Sequence, residues 1–193
     1  MFSSEFTRVI RCVAILRELL MNPRRLTHRN NIVCVFALAF AQAAIAGPAH
    51  VHGEARLEII VEGSDLAIRL ASPLDGLLGF ERAPRTVAEK QALQTMKMTL
   101  EDAVRLFSLP AEAGCTAQPA RIASPVFADT AAAGHLDLDA DYRWHCVKPA
   151  ALRAIDTRLF AEFPRLKRIT VDFVGPVGQK SGRLTPPQAR FAW

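Results

Sequence analysis

The sequence predicts an α+β fold of antiparallel strands and hairpins with two helical segments, in a single domain closed by one disulfide, and three observations carry that expectation. First, two tracts alternate with period two. Ala55, Leu57, Ile59 and Val61 alternate with Glu54, Arg56, Glu58 and Glu62, and Leu136, Leu138, Ala140, Tyr142, Trp144 and Cys146 alternate with His135, Asp137, Asp139, Asp141, Arg143 and His145. Such alternation marks a half-buried strand. Second, Leu93, Met96, Leu100, Ala103 and Phe107 recur at helical spacing between them, which gives a helix one apolar face. Third, beyond residue 46 the chain has two cysteines, Cys115 and Cys146, an even pair at wide spacing.

The first 46 residues read as a targeting segment. Arg24, Arg25, His28 and Arg29 precede an uncharged apolar run from Ile32 to Ala41, and Ala44-Ile45-Ala46 supplies a small-x-small cleavage site before Gly47. These are the three parts of a secretory signal peptide, with Met21 as a possible true start. The apolar run is too short to favour a spanning helix, so residues 47–193 are expected to carry no membrane span after cleavage. Cys34 lies early in the apolar run, away from the cleavage point, which argues against a lipoprotein.

The whole chain has a formal charge of +5. Six arginines and two acids fall in residues 1–46, and what remains holds 18 basic and 17 acidic residues, net +1. A nearly neutral domain lacks the basic footprint of a nucleic-acid binder. Export places Cys115 and Cys146 in an oxidising compartment, where a pair reads as a disulfide. The bridge would close a loop of about thirty residues, worth roughly 3–4 kcal/mol. Free thiols or metal ligands are the alternative, disfavoured by the lack of a C-x-x-C partner.

Along residues 47–193 the first strand gives way at Glu62-Gly63-Ser64-Asp65, which is turn chemistry. Leu66, Ile68 and Leu70 continue the alternation and complete a hairpin, ended by Ser72-Pro73 because proline cannot donate to the ladder. A glycine-marked loop spans Leu74 to Pro84. Thr86 and Glu89 form a capping box that opens the helix, and Pro110 and Gly114 stop it. Residues 115–127 read as a weak strand broken by Pro119 and Pro125, and Asp129 to Gly134 as an alanine-rich loop. The long strand follows, with a register that a one-residue slip would destroy by burying its charges. Pro149 can open a helix with Leu152, Ile155, Leu159 and Phe163 as its stripe, in one piece or two. Ile169, Val171 and Phe173 make another strand, Gly175 to Gly182 a turn, and Arg183-Leu184 a short final strand or tail.

Histidines carry the chemistry. In His50-x-His52 the two imidazoles face one side of an extended backbone and can chelate one divalent metal, for which zinc is well suited. The competing reading is a solvated N-terminal tail. His135 and Asp137 repeat the spacing on the exposed face of the long strand, and a carboxylate such as Glu81 or Asp137 would help complete the four ligands that zinc prefers. His145, about 30 Å along the strand from His135, reads as a surface residue. Copper is disfavoured at both of its candidate sites. Met96 belongs to the helix's apolar stripe although Met98 lies near it, and after cleavage His50 is fourth with Pro48 before it, which breaks the amino-terminal copper motif. Catalysis has little support: there is no G-x-S-x-G, no H-E-x-x-H and no phosphate-cradling glycine loop. The row Asp137, Asp139, Asp141 is the one motive for an acidic hydrolase site, and such rows are usually solvated.

Several segments together resemble a known family: His50-Val51-His52-Gly53, Gly79-Phe80-Glu81-Arg82-Ala83-Pro84, Ala113-Gly114-Cys115, His135 ahead of Tyr142-Arg143-Trp144-His145-Cys146, and Leu159-Phe160-Ala161-Glu162-Phe163-Pro164. The chain is similar over nearly all of residues 50–193 to the ZrgA-type periplasmic zinc-uptake accessory proteins of Gram-negative bacteria. The resemblance implies a periplasmic, non-enzymatic protein that binds Zn2+ beside an inner-membrane metal transporter. It also implies His50, His52, His135 and Glu81 as its metal positions. Two departures each remove potential ligands. Arg82 stands where the family often has histidine, and Asp129 to Gly134 is alanine-rich where many members carry a histidine-rich acidic insert. A metal-independent periplasmic interaction module is the alternative that these departures motivate.

Overall fold

The alternating tract that opens the domain forms strand β1 (Glu54–Glu62), and the turn at Gly63, with φ +56°, returns the chain as β2 (Asp65–Pro73). A computed structural model of the chain describes residues 52–127 and 136–193. The targeting segment, His50, the alanine-rich loop and His135 lie outside the described residues.

After β2 come helix α1 (Leu74–Leu78), helix α2 (Val87–Glu101), the short helix α3 (Ala103–Leu106) and β3 (Phe107–Ser108). Next are β4 (Cys115–Ala117), β5 (Arg121–Ala123) and the long β6 (Asp137–Cys146). The chain closes with β7 (Ala154–Thr157), helix α4 (Leu159–Glu162), β8 (Arg168–Gly175), β9 (Gly178–Leu184) and β10 (Arg190–Ala192).

The main sheet has seven strands in the order β4-β6-β2-β1-β8-β9, with β5 also paired to β6. A smaller sheet of three runs β10-β7-β3. The fold is therefore α+β with the sheets dominant. One face of the main sheet supplies Leu57, Ile59, Leu66, Ile68, Leu70, Leu138, Tyr142, Val171 and Phe173 to a buried cluster, which Leu93, Met96 and Leu100 of α2 join. The other face is polar and carries ion pairs between strands, such as Arg69–Asp139 at 3.0 Å and Arg56–Asp172 at 2.8 Å. The β6 register predicted from the alternation holds: Leu136, Leu138, Ala140, Tyr142, Trp144 and Cys146 are all buried. Cys146 lies opposite Cys115 across the β4–β6 ladder, and the two form the expected disulfide.

Several expectations need correction. The main sheet is not wholly antiparallel, because β1 also pairs in parallel with β8, Leu57 opposite Val171 and Ile59 opposite Phe173. A parallel neighbour far away in sequence leaves no local trace. The loop expected from Leu74 begins as the single turn α1, with Leu74 and Leu77 buried and Gly79 closing it at φ +83°. The helix opened by Thr86 ends at Glu101 rather than running on to Phe107. Asp102 accepts a hydrogen bond from the Arg105 backbone N–H at 3.0 Å and starts a new turn, a local side-chain bond that competes with helix continuation.

The segment from Pro149 to Phe163 is not a helix throughout. Between a 3-10 turn (Pro149–Ala151) and α4 it holds strand β7, where Ile155 pairs with Phe191 and Thr157 with Phe107. Strand partners from elsewhere in the chain override the helical spacing, as they commonly do for β-branched residues. Gly175 to Gly182 is a turn only at its start, since β9 begins at Gly178.

Candidate metal site

His52 sits one residue before Gly53, whose φ of +73° belongs to the left-handed region. Glycine enters that region without steric cost. The Gly53 carbonyl accepts hydrogen bonds from the backbone N–H groups of Lys167 (2.8 Å) and Arg168 (3.2 Å), which ties the entry of β1 to the entry of β8. A Cβ on Gly76 in α1 would stand 3.7 Å from the Gly53 Cα. That close approach brings the His52 segment against α1, where Asp75 lies.

The result is a contact between the His52 Nδ1 and the Asp75 Oδ2 at 2.8 Å. The histidine is exposed and the aspartate is half-buried. The His52 pKa is raised, first by this hydrogen bond, then by the Asp75 charge, then by the charge of Glu81. An imidazole whose Nδ1–H donates to a carboxylate is fixed in tautomer and orientation, and its Nε2 lone pair is left to bind a metal or a proton.

The structure places Asp75, which sequence reasoning missed, in direct contact with His52, and of the other predicted positions Glu81 acts on the ring through its charge. A single aspartate in a glycine-marked loop, 23 residues from the histidine it orients, has no spacing signal. Among the described residues no group of three or more His, Cys, Asp or Glu is arranged to hold a metal ion. Imidazole and carboxylate are the donor types that suit zinc, so the donors fit in kind, and the described ones alone do not complete a tetrahedral set.

The remaining candidates have other work. Arg82, at the position where the family often has histidine, makes a two-pronged pair with Glu89, Nη2 to Oε1 at 2.6 Å and Nη1 to Oε2 at 3.1 Å. Glu89 also accepts from the backbone N–H groups of Arg85 and Thr86 and completes the predicted capping box with Thr86. The Arg82 hydrogen bond leads the causes that lower the Glu89 pKa to about 2. Arg82 therefore locks the loop that follows Glu81 onto the start of α2. His145 is exposed and pairs with Asp65 at 3.0 Å, as its reading as a surface residue anticipated. Asp139 is engaged by Arg69, and Cys115 and Cys146 are engaged with each other. A cleft of about 350 Å³ beside the disulfide is lined by apolar residues that include Phe107, Leu109, Pro110 and Trp144, with no histidine or carboxylate among them. Among the described residues no helix is long and apolar enough to cross a membrane.

The sequence model of one family, described as "ZrgA family zinc uptake protein", matches residues 49–193. No curated protein matches the chain.

Proposed function

The chain belongs to the ZrgA family of zinc uptake proteins, and from that membership we propose that it is a periplasmic zinc-binding accessory protein that contributes to zinc uptake with an inner-membrane transporter. In this reading residues 1–46 direct export, and residues 47–193 form a non-catalytic domain that captures Zn2+ as cargo. The observation that carries it is the His52–Asp75 contact at 2.8 Å, because an exposed imidazole oriented by a carboxylate is the arrangement that metal-binding histidines use. His52 would supply Nε2, Glu81 would supply a carboxylate oxygen, and His50 and His135 would supply the further nitrogens.

Protons and zinc compete for the same nitrogen. Asp75 and Glu81 hold the His52 pKa above the ordinary histidine value. The folded protein therefore gains stability from protonated His52 below that ordinary value and loses the gain as pH rises through the raised one. Zinc binding runs the opposite way: it strengthens as the ring deprotonates and fades as pH falls through the same raised value. Isothermal titration with zinc at about pH 7.5 and about pH 5.5 tests this, with markedly weaker binding expected at the lower pH. Flat affinity across that range would contradict it. Asp75→Asn removes the orienting carboxylate and should weaken zinc binding by about tenfold or more.

A second reading, a metal-independent periplasmic interaction module, draws on the commitment of Arg82 to Glu89. Partner capture that is unchanged by a chelator would favour it.

A further inference from the structure

Three glycines sit beside the three site residues: Gly53 follows His52, Gly76 follows Asp75, and Gly79 precedes Glu81 by two. A Cβ on Gly53 would lie 2.9 Å from the Arg165 carbonyl oxygen and 3.2 Å from the Lys167 Cγ, and one on Gly76 would lie 2.9 Å from the Leu166 Cδ2. One on Gly79 would lie 2.6 Å from both Cζ and Nε of the Arg165 guanidinium. All three glycines are therefore overlaid by a single run of chain, residues 165–168, which is remote in sequence from each of them.

That run is itself well anchored. The Leu166 side chain is 1% exposed and acts as its plug, and the Leu166 N–H donates to the Phe163 carbonyl at 3.0 Å. Lys167 and Arg168 both donate to Gly53, and Arg168 pairs with Glu54. Arg165 is exposed, so burial does not account for where its head group lies. Its guanidinium lies beside Gly79, at the base of the loop that carries Glu81.

We infer that residues 165–168 form a strap that sets the spacing of the site, with Arg165 as a positioning residue that holds the Glu81 loop at a fixed distance from His52. This inference rests on the zinc-binding reading of that site. Arg165 does not touch the metal in this account. Its planar head occupies the space that a side chain at position 79 would need, and the Gly79–Glu81 segment is held through that contact. The positive charge opposes a dication, so any benefit of Arg165 to zinc binding has to come from its shape and placement.

The experiment measures the zinc affinity of the purified protein by competition with a chromophoric chelator, with Zn2+ alone as the probe, beside thermal melting and a check of the disulfide by mass. Arg165→Ala should weaken zinc binding by about tenfold, the scale seen when groups that orient metal ligands are removed. Its melting curve should stay close to that of the parent. Arg165→Lys keeps the charge without the planar head and should remain weak. Gly79→Ala should weaken binding in the parent, through the strain of a side chain at φ +83° as well as through the clash, and should do so less in the Arg165→Ala background, where only the strain remains. Arg165→Ala binding zinc as tightly as the parent, or more tightly, would overturn the positioning role, and so would full recovery by lysine. Both of those results leave the zinc-binding reading standing. A parent protein that binds no zinc would overturn that reading and this inference together.

Discussion

Around the Cys115–Cys146 bridge the chain is held by burial, whereas around His52 it is held by close backbone approach. In the first region Phe107 meets Tyr142 edge-on at 5.1 Å and Trp144 at 6.0 Å, all three rings are nearly inaccessible, and a disulfide crosses the ladder beside them. In the second region His52 is exposed, Asp75 and Glu81 are half-buried, and glycines allow three distant segments to meet. The bridge lies among buried rings, and His52 stands exposed at the entry of β1. In the proposed function the site admits and releases a solvated dication, so it is not sealed in the core and its geometry comes from the backbone around it.

This contrast predicts that the two regions fail separately. The largest effect belongs to Trp144→Ala, which should cost about 3–5 kcal/mol of stability through the cavity it leaves. Zinc affinity of the protein that remains folded should be unchanged. Chemical denaturation beside zinc titration checks both, and a large loss of affinity would mean that the regions are coupled. Cys115→Ser comes next and should lower stability by about 2–5 kcal/mol by releasing the closed loop, read from the shift in melting temperature. An unchanged melting curve would contradict the structural weight given to the bridge. The smallest effect on stability and the more specific effect on function belong to Gly53→Ala. A left-handed residue with a Cβ costs about 1–2 kcal/mol, and the new methyl also meets the Arg165 carbonyl. Here zinc affinity should fall along with stability, which separates this variant from the first two.

The same contrast explains what the sequence discloses. The β6 register, the β1–β2 hairpin and the capping box at Thr86 are local patterns: a period, a turn and a pair of residues three apart. All of them appear in the structure where the residues place them. Ile155 looked helical because its spacing to Leu152 and Leu159 fits a helix, and only its strand partners in β3 and β10 decide otherwise. Of the proposed site, the histidine pair and Glu81 stand out in the sequence because their chemistry is distinctive, Glu81 through its family-like Gly-Phe-Glu setting, and the structure adds a partner for His52 alone of the pair. Asp75 and Arg165 were not legible. Each acts through a contact with a residue tens of positions away, and neither belongs to a motif that announces it. Arg82 shows the converse, a departure from the family pattern that reads as a lost ligand until its pairing with Glu89 gives it a structural task.

The most direct test of the central claim is a calorimetric zinc titration of the purified protein beside the double variant His50→Ala/His52→Ala. The account predicts that the parent binds one equivalent of zinc and that the variant loses it while its melting temperature is retained, since the exposed His52 at the entry of β1 contributes little to the core. No binding by the parent, or equal binding by both proteins, would contradict it.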